Sequence, residues 1–144
     1  MFERRKILVV EDDRLTREIM VRTLSKAGHE VIYAEDGQTA VEMTRTEKPD
    51  LVLTDGLLPK MHGFLVCANI KSLDSPPKVV VITGVYTKPT YKWEVKHQYR
   101  ADDILLKPIT PSALLETVEK QLARSPVSTP SNEAVSLPDY AEIA

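Results

Sequence analysis

The sequence predicts an α/β domain built on an open, doubly wound parallel sheet. Three short runs, Lys6 to Val10, Asp50 to Thr54 and Lys78 to Thr83, are rich in β-branched residues and lack helical periodicity. Such runs suit strands covered on both faces. Amphipathic helical patterns separate them, and strict alternation of the two patterns selects parallel strands joined by right-handed crossovers.

Taken in order, the first strand (Lys6 to Val10) leads to a helix whose apolar stripe is Leu15, Ile19, Leu24 and Ala27, with Gly28 as its C-terminal stop. A short second strand follows from Glu30 to Ala34, then a second helix marked by Ala40, Val41 and Thr44. The third strand leads to a third helix from Gly63 to Leu73. After the fourth strand, a fourth helix begins near Pro89, because proline suits a first helical position. A fifth strand, Asp103 to Leu106, precedes the last helix, which starts at Thr110-Pro111 and presents Leu114, Leu115, Val118 and Leu122 as its apolar face. Five strand-helix repeats of this kind predict a flavodoxin-like sheet with strand order 2-1-3-4-5, in which ligands bind beyond the carboxyl ends of the strands.

The chain has 144 residues, 42% hydrophobic and 28% charged, enough for one domain with its own core. That domain is assigned to residues 1–124. From Ser125 to Ala144 the composition changes: three prolines, four serines and three acids occur without a lysine, arginine or glycine, the pattern of an extended, flexible acidic tail. The net charge is −2 and the basic residues are dispersed, which argues against direct nucleic-acid binding. No apolar run approaches the roughly 18 residues needed to span a bilayer, and Met1 to Lys6 lacks a secretory core, so membrane insertion is not expected and the expected location is the cytoplasm. Cys67, the only cysteine, reads as a small buried hydrophobe.

Function is to be sought where the strands end. The first strand runs into Glu11, Asp12 and Asp13, and the third ends at Thr54-Asp55. Carboxylates meeting at one sheet edge repel one another unless a hard cation is present, and an all-oxygen set without Cys or His suits Mg2+. Alone, Glu11-Asp12-Asp13 fits equally well as a helix cap with first-turn acids, and Asp13 fits that role best. The fourth strand ends at Thr83-Gly84 and the fifth leads into Lys107-Pro108, adding a hydroxyl and a cation to the same edge. A carboxylate nucleophile, a divalent cation, an ammonium and a hydroxyl form a phosphoryl-transfer set.

The segments "KILVVEDD", "PDLVLTDGLLPKMHG", "VVVITG" and "DDILLKP", in this order and spacing, resemble the receiver domain of bacterial two-component response regulators. The resemblance covers Arg5 to about Arg124 and implies a CheY-like fold with Asp55 as phosphoacceptor. It implies that Asp12 and Asp55 ligate Mg2+ directly, Glu11 through water and Leu57 through its backbone carbonyl. Thr83 matches the hydroxyl residue that follows the phosphoryl group, and Lys107 the lysine before a cis proline. The implied donor is a phosphohistidine in a sensor histidine kinase or phosphotransfer protein, or a small phosphate donor. The protein would catalyse only its own phosphorylation and dephosphorylation, not act as an enzyme with turnover.

Two departures stand out. Ile104 occupies the place, three before the lysine, where the family usually carries an aromatic that moves with the threonine; a branched aliphatic has no such pair of positions. His62 replaces the acid common before Gly63. The stretch from Thr83 to Lys107 is slightly long and carries Lys88, Lys92, Lys96 and Arg100 at intervals of four, with Tyr91, Trp93, Val95 and Tyr99 interleaved. This pattern describes either a solvated basic face over a core-facing stripe or a docking surface for an acidic downstream protein.

Three functions compete. The first is a stand-alone receiver, phosphorylated on Asp55 and signalling through protein contacts. The second is a pseudo-receiver, a phosphorylation-independent binding scaffold, which Ile104 favours and the set Asp12, Asp55, Thr83 and Lys107 opposes. The third is a magnesium phosphohydrolase with an aspartyl nucleophile, opposed by Leu57 where a second acid belongs.

Overall fold

The β-branched runs form the strands. The structure is a computed structural model that describes residues 4–84, 97 and 99–123. Its sheet comprises β1 (Lys6–Val10), β2 (Glu30–Ala34), β3 (Leu51–Asp55), β4 (Lys78–Thr83) and β5 (Asp103–Leu106), all parallel, in the order β2-β1-β3-β4-β5. The described helices are α1 (Arg14–Lys26), α2 (Gly37–Glu47), α3 (Gly63–Lys71) and α4 (Pro111–Ala123). The flavodoxin-like prediction, including strand order, therefore holds. The helix predicted near Pro89, with Tyr91, Lys92, Trp93 and Lys96, lies outside the described residues, as does the tail at 125–144.

Successive side chains of a strand point to opposite faces, so a sheet covered on both sides needs apolar residues at every position. Leu8, Val10, Val52, Val79 and Val81 pack with Ala40, Val66, Cys67 and Ile70 of α2 and α3. Their neighbours Ile7, Val9, Leu51, Leu53, Val80 and Ile82 pack with Met20, Leu24, Leu114 and Val118 of α1 and α4. Each fully buried aliphatic side chain of this kind contributes about 1.5–3 kcal/mol of transfer free energy.

Local chemistry sets the helix starts. The Asp13 carboxylate accepts from the Thr16 N–H at 2.9 Å, and Asp36 accepts from the Thr39 N–H at 2.8 Å. Thr110 Oγ1 accepts from the Ala113 N–H at 3.1 Å ahead of α4.

Three expectations are corrected. β3 runs from Leu51 to Asp55, one residue beyond the predicted span, because Asp55 still pairs with Ile82 of β4. α3 ends at Lys71; Ser72 and Leu73 close it with tighter bonds to Asn69 O and Ile70 O. The stripe assigned to α1 is rotated: Arg17, Met20 and Leu24 are buried, whereas Leu15 is 68% and Ile19 54% exposed. A buried arginine counts as polar in any periodicity, so the true inner face was invisible to it.

Candidate functional site

The carboxyl ends of four strands converge on one cluster. β1 delivers Glu11 and Asp12 from the turn before α1, and β3 ends on Asp55. Oxygen atoms of these three carboxylates lie within 4.8 Å of one another, Glu11 and Asp55 buried and Asp12 exposed. Lys107, just past β5, places Nζ 3.1 Å from Asp55 Oδ1 and 3.9 Å from Glu11 Oε1. Its backbone N–H donates to the Thr83 carbonyl at 2.9 Å, which ties the end of β5 to the end of β4, and the Lys107-Pro108 bond is cis. Thr83 is buried one residue beyond Ile82, the register partner of Asp55.

Close backbone approach holds the end of β3 in place. The Gly56 N–H donates to the Ile82 carbonyl at 2.7 Å, and the Gly63 N–H donates to the Gly56 carbonyl at 3.0 Å. A Cβ on Gly63 would fall 1.8 Å from the Asp55 carbonyl oxygen, so only glycine lets the first turn of α3 rest on the end of β3.

The electrostatics follow from this crowding. Burial pushes the Glu11 carboxyl up to about 7, the nearby Asp55 and Asp12 charges add to the rise, and the Asp13 N–H and Lys107 oppose it. Burial works against the Lys107 charge, but the hydrogen bond from its ammonium to Asp55, with the Asp55, Glu11 and Asp12 charges, holds its pKa above the ordinary lysine value. Asp13 stands apart as the α1 cap, its carboxyl held below the usual range by the Thr16 side chain and N–H. The Lys107 ammonium alone does not balance three carboxylates, and the Asp55 and Asp12 charges add to a rise in the Glu11 pKa that comes mainly from burial. An all-oxygen, negatively charged cluster at a strand edge fits a small hard divalent cation such as Mg2+.

Of the residues picked from the sequence, Glu11, Asp12, Asp55, Thr83 and Lys107 thus come to one edge. Leu57 lies two residues past Asp55 with its side chain exposed. Ile104 is not in the cluster: it is buried in the α2/α3 core, opposite Val81 in register. Two groups were missed. Arg17 is buried with Nη1 donating to the Glu11 carbonyl at 3.0 Å, and Phe64 stacks on Tyr99 with ring centroids 5.4 Å apart. A polar residue one turn after the acids hinted at the first; nothing local signals a pairing across 35 residues.

A family model described as the response regulator receiver domain matches residues 7–119. The alkaline phosphatase synthesis transcriptional regulatory protein PhoP of Bacillus subtilis is 32% identical over 129 residues, 90% of this chain and 53% of that protein. The response regulator MprA of Mycobacterium sp. strain KMS is 33% identical over 136 residues, 93% of this chain and 58% of that protein. The chain therefore spans little more than half the length of these curated relatives. Among solved structures, the BeF3-activated N-terminal receiver domain of Klebsiella pneumoniae RstA is 28% identical, with a TM-score of 0.73 over 83% of this chain and 99% of that one.

Proposed function

This chain belongs to the response regulator receiver domain family, and from that premise we propose that it accepts a phosphoryl group on Asp55 from a sensor histidine kinase or phosphotransfer protein and signals through protein contacts. The observation that carries this is the Lys107 ammonium 3.1 Å from an acceptor carboxylate that also faces Glu11 and Asp12.

In the transfer, an Asp55 oxygen attacks phosphorus as the bond to the donor nitrogen breaks, forming an acyl phosphate that water later hydrolyses. Lys107 neutralises charge on the moving group, and the Thr83 hydroxyl donates a hydrogen bond to one of its oxygens. Asp12 and Asp55 would hold Mg2+ directly, Glu11 through water and Leu57 through its carbonyl. Bound there, the cation supplies charge neutralisation for the phosphoryl oxygens. The chain acts on its own carboxylate alone, without turnover of a separate substrate.

The output surface is assigned to the predicted helix bearing Tyr91, Lys92, Trp93 and Lys96, and the buried aliphatic Ile104 implies a route to it other than the usual aromatic. Among the described residues no helix is long and apolar enough to cross a membrane, in keeping with a cytoplasmic protein that receives its signal from a partner. That the similar RstA receiver domain is described as BeF3-activated supports reading this chain as a domain that is switched by a ligand.

Intact-mass measurement after treatment with acetyl phosphate and MgCl2 tests the proposal. One phosphoryl group is expected on the wild type, none on Asp55→Asn and none in EDTA. Undiminished labelling of Asp55→Asn, or an unlabelled wild type, overturns it.

A further inference from the structure

Arg17 is buried on the inner face of α1, where an apolar residue would cost less to desolvate. Its side chain makes three distinct contacts. Nη1 donates to the Glu11 carbonyl at 3.0 Å, the guanidinium lies 4.9 Å over the Tyr33 ring, and Nη2 is 3.8 Å from Glu35 Oε2. Between those two β2-end residues, Ala34 accepts the Glu11 N–H at 3.1 Å. Both polar groups of the Glu11 backbone are thus held, the N–H by β2 and the C=O by Arg17.

This matters because β1 stops pairing with β3 at Val10 and Thr54, so the Glu11 carbonyl lies beyond the β1–β3 ladder. Without a donor it would be a buried, unsatisfied acceptor free to rotate the Glu11-Asp12 peptide. Lysine, a point charge on a flexible stem, cannot span a carbonyl, a ring face and a carboxylate together; a planar guanidinium can.

We infer that Arg17 is a positioning residue that presets the Glu11-Asp12 turn for the divalent cation, acting on cation affinity and not on the phosphoryl-transfer step. The inference rests on the proposed cation site, deepening it by adding a residue that touches neither cation nor phosphoryl group. Groups that orient metal ligands typically govern affinity by about 10–100-fold.

The test uses the full chain and Mg2+ titrated by calorimetry, with Arg17→Met, Arg17→Lys and Tyr33→Leu beside the wild type. Arg17→Met should weaken Mg2+ binding about tenfold or more, Arg17→Lys less, and Tyr33→Leu, at a half-exposed surface ring, about twofold. The rate of phosphorylation by acetyl phosphate at saturating Mg2+ should stay within about twofold of wild type in all three, so the defect is removed by raising the cation. Unchanged Mg2+ affinity in folded Arg17→Met, or a rate defect that saturating Mg2+ does not restore, overturns the inference. If Arg17→Met does not fold, unchanged affinity in both Arg17→Lys and Tyr33→Leu does the same. A wild type that binds Mg2+ normally while the variants match it defeats this inference alone; a wild type that binds none defeats the proposed cation site with it.

Discussion

The two faces of the sheet are built differently. The α1/α4 face shares its strand parity with Glu11 and Asp55, and outside its apolar core α1 turns Leu15 and Ile19 to solvent. A cavity of about 480 Å³ opens beside it, bounded by Ile19 and Met20 of α1 and by Lys107, Pro108 and Ile109. The α2/α3 face carries Thr83 and Ile104 and is closed by a row of specific contacts along α3. Phe64 stacks on Tyr99, the Cys67 thiol donates to the Tyr99 carbonyl at 3.2 Å, and Lys71 pairs with Asp102 at 2.6 Å. Spacings of three and four place these residues on one stripe of α3. The α1/α4 face opens onto this cavity beside Lys107, while the face holding Thr83 is cross-tied to the segment entering β5. The difference teaches that one sheet can leave open space beside Lys107 on one face while side-chain contacts tie down the segment entering β5 on the other.

The largest contrast should come from truncating one isoleucine on each side. Ile70→Ala on α3, fully buried, should cost about 2–5 kcal/mol in urea unfolding. Ile19→Ala on α1, half exposed, should change stability by less than about 1 kcal/mol. Equal losses would erase the distinction between the faces.

Next is the pH dependence of the acid cluster. Glu11 has a folded pKa of about 7 against an ordinary 4.5, so between these values the folded state binds more protons than the unfolded one. Its contribution is therefore full below about 4.5 and is lost as pH rises through about 7. At about 1.4 kcal/mol per unit the loss is on the order of 3 kcal/mol in EDTA. Denaturation at pH 5 and pH 8 should show it, and Glu11→Gln should flatten it.

Smaller again is Lys71→Met, which should cost about 2 kcal/mol: it removes the nearer of the two ammoniums beside Asp102, leaving that carboxylate with Lys78 Nζ at 4.0 Å and its 2.7 Å bond from the Val79 N–H. A stability change within error would show that the tie between α3 and the β5 entry is not energetic. The smallest effect is the ring pair: a double-mutant cycle of Phe64→Leu and Tyr99→Leu should give a coupling of about 0.5–1.5 kcal/mol. A coupling near zero would reduce the stack to simple burial. Alongside these, Cys67, fully buried with its thiol pushed up to about 12, should resist alkylation in the native state and react only on unfolding.

Much of the fold was legible because buried parallel strands are apolar on both faces. Lys6–Val10 and Lys78–Thr83 therefore announce themselves without any knowledge of their neighbours. Helix ends at Asp13 and Thr110 were legible because capping is local. The orientation of α1 was not, since Leu15 and Ile19 carry the hydrophobicity while Arg17 takes the interior.

By itself the sequence determined which residues stand at strand ends: Glu11, Asp12, Asp55, Thr83 and Lys107 follow from strand runs and a parallel topology that leaves their ends on one edge. Tertiary structure alone decided their state. Burial raises Glu11 and a 3.1 Å approach pairs Lys107 with Asp55, because desolvation and Coulomb interactions depend on distances between segments far apart in the chain. It also decided that Arg17 faces inward and that Tyr99 meets Phe64, contacts that have no signature in local periodicity.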